Sequence, residues 1–411
     1  MIKLKNNQAI QNISIPCRRF GRTEIQMPVL SLGGMRFQQS WKDLNPKEIT
    51  NQNQLILKKT IDKAALNGLH HIETARHYGS SELQLGWAMN EIYDSKRILQ
   101  TKIPPNDDPL IFERELELSL NKLNTNKIDL LAIHGINLPE HLDMTIRNNG
   151  CLEVVRRWQK EGLVGHVGFS THANVDLIIK TIKTGFFDYV NLHWYFIRQE
   201  NTRALQAAYD NDMGVFIISP TDKGGHLHTP SLKLLDLCSP LHPIEFNDLF
   251  CLSDKRIHTL SVGASKPEDL DIHLSAISKM DNMHELIDTI DKRLMNALNE
   301  SLGESWLTTW KIGLPSWDKT PGEINIPVLL WLNNLLEAWD MESFAKDRYG
   351  LLGRGGHWFP GSNADSLDKE VSEESLKSVL MHSPWRDEIP DVLRALKNKI
   401  AGSNQQRLSD A

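Results

Sequence analysis

Four ionisable residues, Glu73, Tyr78, Lys102 and His134, each end or closely follow a short apolar run. A phenol titrates near 10 and is a poor acid at pH 7. A nearby ammonium favours phenolate and lowers that value. A carboxylate paired with the lysine holds the ammonium in place. A histidine beside the tyrosine orients a carbonyl oxygen or relays a proton. Together the four suit proton donation to a carbonyl while a cofactor delivers hydride from the other side. Singly, each has a plainer reading: Glu73 and Lys102 as a structural ion pair, His134 as a satisfied core histidine, Tyr78 as a loop anchor.

These residues need a frame that brings their runs together. From residue 17 to about 280, β-rich runs alternate with helical patterns. The runs are Val29–Leu32, His70–Glu73, Arg97–Lys102, Ile128–His134, Val164–Ser170, Asp188–Trp194, Gly214–Pro220 and Ile257–Val262. Between them lie amphipathic stretches at Gln54–Asn67, Ser81–Tyr93, Pro109–Leu123, Leu152–Lys160 and Val175–Lys183. Apolar strands alternating with helices indicate a parallel sheet buried on both faces. Eight repeats over 17–280 predict a (β/α)8 TIM barrel, whose catalytic residues come from the carboxyl ends of its strands. An open doubly wound sheet would usually show a GxGxxG turn after its first strand, and none is present.

The strand pattern stops near residue 280. Asp281–Ser301, Ile326–Lys346, Glu370–Met381 and Pro390–Ile400 read as helices of a C-terminal all-helical extension over 281–400. Seven of the 11 tryptophans fall after residue 300, which favours an aromatic core over a ligand-stacking surface. An N-terminal arm (1–16) and a frayed tail (401–411) complete the division.

Composition excludes several classes. Apolar residues are 40% of the 411 and charged residues 24%, within the globular range. A net charge of −6 gives no field favouring nucleic acid or anionic membrane. No apolar run spans a bilayer. The polar start lacks a signal-peptide h-region. Four scattered cysteines (Cys17, Cys151, Cys238, Cys251) suggest reduced thiols in a cytoplasmic protein, with neither disulfides nor CxxC metal sites. His226-x-His228 has metal-ligand spacing but no evident carboxylate partner, so no metal is expected.

Residues 17 to about 280 resemble the aldo-keto reductase superfamily. The resemblance rests on Phe20-Gly21-Arg22-Thr23, Met27 to Met35, Glu73-Thr-Ala-x-x-Tyr78-Gly with Ser81-Glu82, Lys102, His134, Val167 to Thr171, Ile218-Ser219-Pro220 and Val262 to Ser265. It implies an NADPH-dependent oxidoreductase that reduces an aldehyde or ketone to an alcohol. Tyr78 would be the general acid, Lys102 would lower its pKa, Glu73 would pair with Lys102, and His134 would orient the carbonyl. The implied cofactor contacts are Gly34, Met35, Ser170, Thr171, Asn191, Trp194, Ser219, Lys223, Gly263, Ser265 and Lys266. Trp194 would stack on nicotinamide and Lys223 would reach the pyrophosphate. The Gly263–Lys266 loop would hold a phosphate on backbone N–H groups, with Lys266 favouring NADP over NAD. Trp41, Arg76, His77 and Trp194 are placed as substrate walls.

Three positions depart from the family pattern. Glu73 stands for aspartate, Thr171 for the asparagine of a Ser-Asn pair, and Asn191 for glutamine. The C-terminal part resembles a subgroup with an appended ferredoxin-type domain, through Trp310-x-x-Gly313-Leu314-Pro315, Ile324 to Pro327, Arg348-Tyr349 and Gly356 to Gly361. That subgroup ends in cluster cysteines. Here Ser383-Pro384 stands near the expected position and no cysteine follows Cys251, so no iron–sulfur cluster is expected. The extension would then pack on the barrel, cover its mouth or meet a protein partner. The alternative is a catalytically weak or inactive barrel that binds nucleotide or a protein partner.

Overall fold

The computed structural model describes residues 15–92 and 94–402. The expected arm and tail lie almost wholly outside these residues, as does Tyr93, the expected end of the helix begun at Ser81. The chain opens with an antiparallel hairpin, β1 (Cys17–Arg19) and β2 (Gln26–Pro28). Eight parallel strands follow: β3 (Leu30–Gly33), β4 (His71–Glu73), β5 (Ile98–Ile103), β6 (Ile128–Ile133), β7 (Val164–Ser170), β8 (Tyr189–Leu192), β9 (Gly214–Ile217) and β10 (Thr259–Gly263). They close into a barrel, with Leu260 of β10 opposite Leu30 of β3. The predicted (β/α)8 barrel is the observed one, and all eight expected runs contribute a strand.

The connecting helices start and stop where the side chains cap them. Asp108 accepts the Leu110 N–H at 2.9 Å ahead of Pro109, and Asn124 ends that helix with a φ of 48°. Asn174 accepts the Leu177 N–H at 3.0 Å and opens Val175–Lys183. The hairpin plugs the barrel floor. Phe20 and Met27 pack on Leu130, Tyr189 and Phe216 with no exposed surface, each worth about 1.5–3 kcal/mol of burial. Gly168 makes room for this plug, because a Cβ there would lie 2.6 Å from the Tyr189 ring.

The C-terminal helices build a second core. The expected helix Ile326–Lys346 is instead two, Ile326–Trp339 and Glu342–Leu351, because Asp340 turns left-handed with φ 52°. Trp306, Trp310 and Trp339 are buried here. The Trp306 indole donates to Asn334 Oδ1 at 2.9 Å and that of Trp339 to the Leu294 carbonyl at 3.1 Å. The buried indole N–H groups of Trp306 and Trp339 thus have the partners that burial demands. The same core takes in Leu227, Ile244 and Leu249, which precede β10 in the chain. The Ser383 hydroxyl oxygen accepts the Trp385 N–H at 3.2 Å. Among the described residues no helix is long and apolar enough to cross a membrane.

Candidate active site

A cavity of about 790 Å³ opens at the carboxyl ends of the strands. Glu73 ends β4, Lys102 lies near the end of β5, and His134 follows β6 directly. Tyr78 comes from the turn after β4. Gly79 holds that turn with φ 53°, where a Cβ would meet the Ser40 carbonyl at 2.1 Å. All four predicted catalytic residues line the one cavity.

Lys102 is 1% exposed, and its ammonium has three protons to place. One goes to Glu73 Oε2, one to the Thr74 carbonyl at 2.8 Å, and one to the Tyr78 hydroxyl oxygen at 3.4 Å. The Ser261 hydroxyl donates to the other Glu73 oxygen at 3.0 Å. With Lys102 spending its last proton on Tyr78 Oη, the tyrosine's own proton is left for another acceptor. His134 meets the Tyr78 ring edge-on at 5.8 Å between centroids.

Burial, with Glu73 adding to it, raises the Tyr78 pKa, and Lys102 opposes both without cancelling them. Lys102 thus pulls the value down, as expected, but burial outweighs it and the phenol titrates above its ordinary range. Burial alone would lower the Lys102 pKa, but Glu73 and Tyr78 together raise it. Burial, then Lys102, push His134 down to about 3, so its imidazole is neutral at physiological pH.

The expected cofactor contacts divide. Met35, Ser170, Ser219, Lys223 and Gly263 line the cavity. Asn191 stands just behind the cavity lining, fully buried and in register with Ser170, and among the described residues neither its Oδ1 nor its Nδ2 has a hydrogen-bond partner. Five other residues are placed differently. Gly34 is stitched into the strand ends, its N–H donating to the Glu73 carbonyl at 2.7 Å, and Gly33 faces the cavity instead. Thr171 donates its hydroxyl to the Ile136 carbonyl at 2.7 Å, which turns it away. Trp194 is core, stacked on Phe250 at 4.9 Å. Ser265 and Lys266 stand outside the cavity. The N–H groups of both, and the Ser265 hydroxyl, donate to the Asp269 carboxylate at 2.7–3.3 Å, so this chain's own carboxylate fills the loop read as a phosphate cradle.

Of the expected walls, Trp41 and His77 line the cavity. Arg76 does not, being held at 2.6 Å by Asp43 and at 2.7 Å by Glu115. His226 finds the carboxylates that the sequence did not reveal, Asp347 at 3.4 Å and Asp222 at 3.7 Å. Among the described residues no three His, Cys, Asp or Glu side chains are grouped to hold a metal.

Sequence reasoning missed a relay behind the wall. The Tyr195 hydroxyl donates to the Ile218 carbonyl, so its oxygen accepts from His193 Nδ1 at 2.6 Å. Burial holds His193 neutral. Its Nε2 is therefore an acceptor, facing His172 Nδ1 at 2.6 Å and the Lys223 ammonium at 3.4 Å. Lys223 and His172 both line the cavity. Burial, then Arg348, push the Lys223 pKa down to about 7. Arg348, Trp358 and Phe359 bring the C-terminal extension into the same cavity. The position of His172, directly after Ser170-Thr171, was the available signal for that residue. Nothing in the tryptophan pattern singled out Trp358.

No curated protein sequence matches the chain. Solved structures do. An aldo-keto reductase from Bacillus halodurans in its holo form is 17% identical, with a TM-score of 0.57 over 68% of this chain and 96% of that one. A thermostable aldo-keto reductase in complex with the inhibitor epalrestat is 20% identical, with a TM-score of 0.54 over 66% and 99%. An aldo-keto reductase from Klebsiella pneumoniae in complex with NADPH is 14% identical, with a TM-score of 0.52 over 67% and 94%. At such identities these likenesses speak for the fold. The model of the aldo/keto reductase family matches residues 29–290, more than half of the sequence, and the chain belongs to that family.

Proposed function

We propose that this protein reduces an aldehyde or ketone to an alcohol, using NADPH. The observation that carries the reading is the placement of the three Lys102 protons. Because Lys102 donates to Tyr78 Oη, the tyrosine proton is directed to a further acceptor, and a carbonyl oxygen in the cavity is such an acceptor. NADPH, when bound, supplies the hydride. Tyr78 gives its proton to the developing alkoxide. Lys102 stabilises the phenolate left behind, and Glu73 fixes Lys102. Neutral His134 orients the carbonyl oxygen.

The residues suited to NADPH follow from chemistry. The unpartnered amide of buried Asn191 matches a carboxamide, which has both a donor and an acceptor. Ser170 stands beside that amide in register, Met35 lines the same cavity, and Lys223 suits the pyrophosphate. Lys266, with its exposed ammonium next to Gly263, favours a 2′-phosphate and so NADP over NAD. The Klebsiella relative was solved with NADPH, which supports this choice. The unpaired thiols fit a reducing compartment, and we place the protein in the cytoplasm.

A second reading, a barrel that binds nucleotide with little turnover, is favoured by Asp269 in the loop cradle and by the turned-away Thr171. Titration with NADPH and NADH in parallel, followed by tryptophan quenching, is the first test. Micromolar binding that favours NADPH, with oxidation at 340 nm on adding aldehydes, supports the reductase. Binding without turnover supports the second reading, and binding of neither nucleotide sinks both.

A further inference from the structure

We propose that Trp358, on the C-terminal extension, sets the upper size of the carbonyl compound that the cavity admits. The inference rests on the reductase reading of the same site.

Trp358 sits on a loop whose neck is closed by the Gly353 N–H donating to the Gly361 carbonyl at 2.7 Å. The loop crosses the barrel mouth. At one side the His357 ring meets His141, beyond β6, at 6.1 Å. At the other, Trp358 lies 4.9 Å from the Lys223 ammonium, beyond β9. The indole packs against two rings, tilted on His193 at 4.9 Å and stacked on Phe359 at 4.2 Å. Arg348 adds a second cation at 5.1 Å. An indole that lines the cavity while held by two aromatic rings and three cations, Arg198 among them at 5.4 Å, acts as a fixed wall. Ring contacts of this kind stabilise beyond the area they bury, and the cations add to that. The wall is therefore stiff, and a bulky substrate must displace it.

The test compares benzaldehyde with 4-phenylbenzaldehyde on wild type and Trp358→Ala. Turnover with NADPH gives the ratio of kcat/KM for the two. Calorimetric titration of the protein with NADP, which cannot reduce either aldehyde, gives the ratio of affinities. Wild type should prefer the smaller aldehyde by about tenfold or more, the scale on which a pocket rejects misplaced bulk. Trp358→Ala should bring both ratios to about one.

Ratios that stay the same in the variant overturn the proposal, as does a wild type that takes both aldehydes equally or binds neither. If Trp358→Ala melts early, Trp358→Leu keeps apolar volume while shortening the wall, and the same shift is expected in a smaller amount. Failure of the reductase reading looks different. NADPH would then not be oxidised, while the affinity ratios, taken without cofactor if NADP does not bind, would still report on the wall.

Discussion

The Lys102 ammonium lies 3.4 Å from the Tyr78 hydroxyl and 4.7 Å from the centre of its ring. The two residues are 24 positions apart, Lys102 on β5 and Tyr78 in the turn that follows the neighbouring β4. Removing the hydroxyl leaves the cavity's shape almost unchanged and takes away the proton. Tyr78→Phe should lower kcat by about 10²-fold or more, with cofactor affinity unchanged. Steady-state kinetics and an NADPH titration on the same preparation check both halves. Near-full turnover would reject the acid role.

Glu73 is the carboxylate partner of a lysine that water does not reach. Glu73→Gln leaves Lys102 charged and uncompensated. Breaking a buried pair in this way costs about 3–5 kcal/mol. A urea midpoint lowered without a change in slope is the expected sign. An unchanged midpoint would mean that Lys102 gives up its proton in the variant.

Lys223 gives a pH dependence whose sign is fixed. Burial and Arg348 lower its pKa to about 7, far below the ordinary lysine value. The cation that suits a pyrophosphate is present below pH 7 and lost above it. NADPH affinity should be level from pH 6.5 downward to the point where the phosphates themselves titrate, and should fall between pH 7 and 9. Lys223→Gln should remove that fall and bind weakly throughout. For folding the sign is the reverse. The folded chain holds this proton less tightly than the unfolded chain does, so Lys223 weakens the fold below its unfolded pKa of about 10.4, and the loss is relieved as pH rises from 7 toward that value.

Asn191 carries a buried amide that none of the described residues satisfies. Such a group costs about 1–3 kcal/mol. Asn191→Leu should therefore raise the melting temperature of the protein without cofactor while weakening NADPH binding by about tenfold. Opposite movement of the two quantities separates a cofactor contact from a structural amide, whose loss would lower stability.

The barrel was legible in the sequence because each strand is an apolar run with a polar residue at its end. That pattern also found Glu73, Tyr78, Lys102 and His134. Local motif reading failed where a neighbouring side chain decides orientation. Thr171 follows Ser170 as a motif would have it, yet the Ile136 carbonyl takes its hydroxyl. Ser265 and Lys266 have a phosphate-loop sequence, yet Asp269, only a few residues on, reaches back to the same N–H groups. Trp194 lies in the register of an aromatic contact, yet Phe250 draws it into the core. Trp358 was hidden for another reason. Its place in the cavity depends on how the C-terminal helices dock, and that docking is written in contacts between residues more than 100 positions apart, such as Trp331 with the Ile197 carbonyl.

The second core is assembled partly from residues that precede the last barrel strand. Leu227, Ile244 and Leu249 bury themselves against Leu294, Leu329 and Trp339 of the extension. A gene shortened at residue 280 would leave these side chains facing water, and its product should clump during synthesis. The extension is thus a structural part of the barrel's own late segments: the core that Leu227, Ile244 and Leu249 belong to exists only while the extension stays docked.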